Sequence, residues 1–134
     1  VNVSGIVSVL IAANATANAI IAGRVYPGVA KQETAYPCVV VNLVNPGATT
    51  TKREVSNLDI ALVQVDVYGS TYTATAAASA AIRTALDNYS GTVTLTGGGT
   101  TTVAGITYTN EMDGYVERPD IFRRITEYHI SLKR

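Results

Sequence analysis

VQVDVYGSTYTATAAASAAIRTALDNY, residues Val63 to Tyr89, changes its period halfway along. Up to Tyr68 the apolar residues alternate, with Val63, Val65 and Val67 on one side and Gln64, Asp66 and Tyr68 on the other. That is the period of a strand with one buried face. Beyond Gly69-Ser70-Thr71 the alternation stops. Thr75, Ala78, Ser79, Ile82, Ala85, Leu86 and Tyr89 then recur at spacings of three and four, which predicts a helix from about Thr71 to Asn88. Its small residues let it lie close on a sheet, anchored by Ile82, Leu86 and Tyr89. A strand turning sharply into a helix is also how many phosphate sites and some nucleophile sites are built, so the corner needs a chemical test.

It fails each template. A Walker loop wants Gly and Lys five and six residues after Gly69, where Ala74 and Thr75 stand. A dinucleotide fingerprint wants Gly at the positions of Thr71 and Ala74, and a nucleophile elbow around Ser70 wants Gly where Tyr68 and Tyr72 stand. What remains is a glycine that permits a sharp turn and a Ser or Thr that caps the free N–H groups of the helix.

Working outward, the first 23 residues carry no charge. A signal peptide would have a basic leading region. A membrane span would not be interrupted by Asn2, Ser4, Ser8, Asn14, Thr16 and Asn18. Val3, Ile6, Val9, Leu10, Ala13, Ala17, Ile20 and Ile21 instead share one side of a single amphipathic helix, closed by Gly23 in a left-handed cap. Arg24 to Pro37 reads as a loop. Cys38 to Val44 is apolar on both faces, Pro46 to Asn57 is a polar connection able to form a flexible hairpin arm, and Leu58 to Tyr68 is a second strand. After the second helix, two strands meet through Gly97-Gly98-Gly99, Asp113-Gly114 signals a further turn, and Phe122 to Leu132 alternates as a last strand. The expected fold over residues 1–134 is one α+β domain. Its sheet is mostly antiparallel with two helices packed on one face, in the order helix, strands, helix, strands.

Only 15% of the residues are charged, against about 25% in an ordinary globular domain. Ten acids balance ten bases, so there is no global basic footprint for nucleic acid. An under-charged surface with an uncharged first helix suits contact with other subunits. Five of the ten bases, Arg118, Arg123, Arg124, Lys133 and Arg134, fall in the last seventeen residues, as expected of a solvated strand face.

Little else offers chemistry. Cys38, the sole cysteine, sits in an apolar run and reads as a small buried hydrophobe; His129, the sole histidine, belongs to a distant strand. Gly97-Gly98-Gly99 leads into a β-favouring Thr run, so no helix N-terminus follows it to receive a phosphate. Glu111, Asp113, Glu117 and Asp120 form the one acidic cluster. Carboxylates at alternate positions can converge on a hard cation, but these flank turn signals without EF-hand order. No triad, metal cage or cofactor loop emerges, and the chain is expected to have no enzyme activity and no cofactor.

Three motifs, taken in order, resemble a known family. They are Gly23-Arg24-Val25-Tyr26-Pro27 after the first helix, Tyr36-Pro37-Cys38-Val39-Val40 leading into a strand, and Val63 to Gly69 followed by Thr71-Tyr72 and the Ala-rich Ala76 to Leu86. The sequence is similar to the tail-completion, or tail-terminator, proteins of long-tailed bacteriophages. Phe122-Arg123-Arg124-Ile125-Thr126-Glu127-Tyr128 matches that family's final strand. The resemblance implies a structural virion protein of the tail or neck, assembled in the host cytoplasm. It implies a homohexameric ring that caps the tail tube and joins it to a head-completion or connector protein. DNA would pass through the lumen without specific binding, and no membrane is involved. Another neck or tail-tube subunit, or a small ligand-binding module, is the alternative. The family lends no catalytic residue; Arg123, Arg124 and Arg53 are the expected subunit-interface residues.

Overall fold

The computed structural model describes residues 3–28, 35–50, 55–95, 97–115 and 121–133. Their elements run α1 (Val3–Ala13), α2 (Ala15–Ile21), β1 (Val25–Pro27), β2 (Cys38–Thr50), β3 (Val55–Gly69), α3 (Tyr72–Leu86), β4 (Gly91–Thr94), β5 (Thr100–Tyr115) and β6 (Phe122–Lys133). The strands form one six-stranded sheet in the order β1-β2-β3-β6-β5-β4. Every neighbouring pair is antiparallel except β1 with β2.

The α+β reading holds, but there are three helices rather than two. The single N-terminal helix expected from periodicity is broken at Asn14, and its two pieces bend by 111°. The physical cause is local. Asn14 is extended, and its side chain accepts a hydrogen bond from the Ala17 N–H at 3.0 Å, so it caps a new helix instead of continuing the old one. The bend redraws the buried stripe. Val7 and Ile11 join Ile6, Leu10, Ala17 and Ile21 inside, while Ala13 turns outward. Among the described residues no single helix is long and apolar enough to cross a membrane. Gly23 is left-handed as expected (φ 78°), and Ala22 before it is left-handed too.

The strands are longer than the composition suggests. The ladder between β2 and β3 runs on to Thr50 and Val55, through what reads as a polar connection, and only residues 51–54 of that arm lie outside the described residues. Part of the expected loop after Arg24 is β1, which pairs with Val39 to Val41. Asp113-Gly114 is not a turn. Both residues pair with β6, opposite Arg124 and Arg123, and β5 continues to Tyr115. The strong local turn signal loses to a ladder that Arg124 reinforces.

The core lies between one sheet face and the helices. Val39 and Val41 of β2, Val63, Val65 and Val67 of β3, and Tyr128, Ile130 and Leu132 of β6 meet Ile6, Leu10, Ile11, Ile82 and Leu86. Each such side chain, taken fully out of water, contributes about 1.5–3 kcal/mol. Arg24 fastens the layers at one end, its Nε donating to the Pro37 carbonyl (2.9 Å) and its Nη2 to the Ile20 carbonyl (3.1 Å). It thus satisfies a carbonyl in the last turn of α2, where a cation is favoured.

Candidate functional site

The corner that opens α3 is a built cap. Thr71 Oγ1 accepts from the Ala74 N–H (3.1 Å), and the Thr71 carbonyl accepts from both the Thr75 N–H (3.0 Å) and Thr75 Oγ1 (2.7 Å). Gly69, the last residue of β3, is not left-handed. Its role is space, because a Cβ there would collide with Thr75 Oγ1. Ser70 is exposed and has no base beside it among the described residues. The corner therefore holds a helix against a strand.

Beside it the sequence-expected arginines separate, as alternation along β6 requires. Arg124 reaches the side of α3. Its Nε donates to Asp113 Oδ1 (2.9 Å), its Nη2 to the Tyr72 hydroxyl (2.9 Å), and its Nη1 lies 3.1 Å from Glu111 Oε1. The Tyr72 hydroxyl donates to Asp113 Oδ2 (3.2 Å) and the Tyr108 hydroxyl to Glu111 Oε2 (2.8 Å), while the Arg83 guanidinium stacks 3.8 Å from the Tyr108 ring centre. Hydrogen bonding from Arg124 holds the Asp113 carboxyl below its ordinary range. Burial, then the bond to Glu111, pushes the Tyr108 phenol up. A hollow of about 270 Å³ opens here, lined by Tyr72, Ala76, Asp113, Phe122, Arg123 and Arg124 among others.

Arg123 serves the other face. Its Nη2 bonds Asp66 Oδ2 at 2.7 Å, and Asp66 is only 2% exposed. Gln64 Nε2 donates to both Asp66 oxygens (3.0 and 3.1 Å). Arg53, Glu117 and Asp120 lie outside the described residues. Glu111 and Asp113 do converge, but on Arg124. Among the described residues no three His, Cys, Asp or Glu side chains gather as metal ligands. Cys38 and His129 stand apart along the strand direction, Cys38 near one end of the sheet, aligned with Tyr68 and Arg123, and His129 at mid-strand, aligned with Leu62. Burial raises the Cys38 thiol, the reverse of what a nucleophile needs.

Tyr72, Tyr108 and Asp66 are the participants that sequence reasoning does not single out. For Asp66 a signal exists: a lone carboxylate in a strand of valines needs a cation on a neighbouring strand. For Tyr72 there is none, because its contacts with Asp113 and Arg124 join residues 41 and 52 positions apart.

What this arrangement can do is hold a rim. It offers interlocked charges, aromatic edges and a shallow hollow, with no activated nucleophile and no acid–base pair. The family model described as tail completion protein gp17 matches residues 6–132. A chain from a solved structure titled "Virion of native gene transfer agent (GTA) particle" superposes with a TM-score of 0.75 at 18% identity, over 96% of this chain and 92% of that one, a likeness of fold. No curated protein gives a match.

Proposed function

Because the chain belongs to the tail completion protein gp17 family, and is thereby a structural component of a tailed virion, we propose that it forms a ring at the upper end of the tail tube and joins the tube to the head connector. The family match over residues 6–132 is the observation that carries this reading. The surface supports it: 15% charged residues and a first helical pair without any charge are better suited to lying against protein than to facing water alone. In this reading the protein catalyses no reaction. Its self-contacts and its contacts with the tube and connector are its activity, and DNA slides through a lumen that does not grip phosphate. Arg123 and Arg124, already engaged with Asp66, Glu111 and Asp113, stiffen the β5–β6 rim that meets a neighbouring subunit.

Electron microscopy of particles carrying a tagged copy tests the placement. One ring of density at the head–tail junction is expected. Label repeated along the tube would make the chain a tube subunit, and label confined to the head would end the reading.

A further inference from the structure

Both margins of the sheet are half open, in complementary places. β1 covers β2 only along Val39 to Val41, so among the described residues β2 from Asn42 to Thr50 has β3 as its single strand neighbour. On the far margin β4 covers β5 only along Thr100 to Val103. The Ile106 carbonyl and Tyr108 N–H are taken by Asn88 and Asp87, which among the described residues leaves β5 open from Thr109 to Tyr115. Open edges present unpaired donors and acceptors that invite another strand.

The exposed apolar side chains gather at the same two margins. Among the described residues six large hydrophobics stand exposed, of which Leu43 and Val44 are on the open run of β2 and Met112 is on that of β5. Ile60 is paired with β2, and Tyr72 is bonded to Asp113 of β5. Only Tyr36 stands elsewhere.

Strand direction then selects the partner. β2, β3, β6 and β5 alternate in direction, so β5 of one copy placed beside β2 of an identically oriented copy makes an antiparallel pair, the same relation that holds within the sheet. We propose that the occupant of each open edge is a second copy of this chain, β5 of one subunit adding to β2 of the next, so that the ring is closed by one continuous sheet. The inference rests on the ring reading given above.

Register supports it. The middle of the β5 run, Met112, aligns through Ile125 with Asp66 of β3, whereas Val44, in the part of the β2 run that precedes Pro46, lies at the level of Val63 and Leu62. Matching the runs shifts neighbouring copies by three to four residues along the strands, about 10–13 Å. With this shift the pairing is confined to Asn42–Pro46 of β2 against about Thr109–Asp113 of β5: farther one way Tyr115 comes level with Pro27 of the neighbour's β1, and farther the other way Gly47 and Ala48 come level with the edge taken by Asp87 and Asn88. Across the four long strands, about 19 Å wide, the shift is a slope of roughly 30°, close to the 35–45° tilt of closed barrels. Six copies would then close about 24 strands into a ring roughly 40 Å across, wide enough for a DNA duplex. Pro46, which has no N–H to donate, limits the usable run of β2 to its first few residues.

The test uses the full chain in assembled rings. Val44→Cys and Met112→Cys are made singly and together; both positions are exposed, and the native Cys38 is buried and does not compete. Across adjoining strands such side chains lie about 5–8 Å apart, within reach of a short bismaleimide. The double variant should give a covalent ladder up to the ring number on a denaturing gel, and neither single variant should. Intact rings without a ladder overturn the edge pairing and leave the ring standing. Absence of any ring from the wild-type protein and its tails overturns both. Hydrogen exchange gives a second readout that needs no substitution: amides in 109–115 should become protected at least tenfold on ring formation, and unchanged exchange there counts against the pairing.

Discussion

Replacing Gly69 with alanine tests the reading of the β3–α3 corner most directly. Gly69 has no need of a left-handed backbone, so alanine is conformationally acceptable and should even gain about 0.4–1 kcal/mol by restricting the unfolded chain. Against that, the new Cβ collides with Thr75 Oγ1 and lies 3.3 Å from both Thr75 Cβ and Thr75 N. Thr75 is 3% exposed and its hydroxyl is committed to the Thr71 carbonyl at 2.7 Å, so it has no room to rotate. Overpacking of this kind costs about 1–3 kcal/mol, and the broken hydrogen bond adds about 1 kcal/mol. The balance is a net loss of about 2 kcal/mol, a fall in Tm of roughly 8 °C for a chain of this size. Thr75→Ala alone should cost about 1 kcal/mol through the lost bond. In the double variant the oxygen that collides is gone, and the loss should be smaller than the sum of the single losses by about 1 kcal/mol. Thermal or urea unfolding of the four proteins measures all of this. A Gly69→Ala protein as stable as wild type, or a strictly additive double variant, would refute the close-approach argument.

Two further outcomes follow from the arginines. Arg123→Met strands the Asp66 carboxylate, 2% exposed, with Gln64 as its remaining side-chain donor. Removing one partner of a buried pair costs about 3–5 kcal/mol, and because Arg123 is itself about a third exposed, a loss of about 2–3 kcal/mol is expected in urea unfolding; Asp66→Asn in the Arg123→Met background should recover part of it. Asp113, whose carboxyl is held low by Arg124, favours the folded state above the ordinary carboxylate range and loses that contribution as pH falls through its lowered folded value. The Tyr72–Asp113–Arg124 contact should loosen only as pH falls through that lowered value, beneath the ordinary aspartate value of about 4, and carbon-detected titration of the Asp113 carboxyl should show a midpoint below that of an exposed aspartate, returning to the ordinary value in Arg124→Met.

The sheet-and-helix character was legible because it rests on period, and period is local. β3, α3 and β6 follow the alternation of Val63 to Val67, the three-and-four spacing of Ala78, Ile82 and Leu86, and the alternation of Thr126 to Leu132. The misread places are those where a single residue or a distant partner decides. Asn14 uses its side chain to restart a helix where apolar spacing continues undisturbed. Asp113-Gly114 has the chemistry of a turn, yet Arg124 and the β6 ladder keep it extended. The polar composition of Pro46 to Asn57 hides a strand pair, since edge strands need no apolar face. At the site, Arg123 and Arg124 stood out by sequence, but their partners Asp66, Glu111, Asp113 and Tyr72 lie 11–57 residues away and are chosen only when the sheet forms.

The sheet order has a consequence for how the protein is made. β6 follows every other element along the chain, yet it lies between β3 and β5, and its two ladders are what join the β2–β3 hairpin to the β4–β5 hairpin. During synthesis the two hairpins and α3 emerge first and wait, each with one long side unmatched. The strand that unites them also carries Arg123 and Arg124, so the rim, the buried ion pair and the joined sheet all depend on the docking of β6. A copy in which β6 is undocked lacks the whole centre of the sheet and not merely one strand, so the docking of a single strand decides whether the two hairpins act as one body.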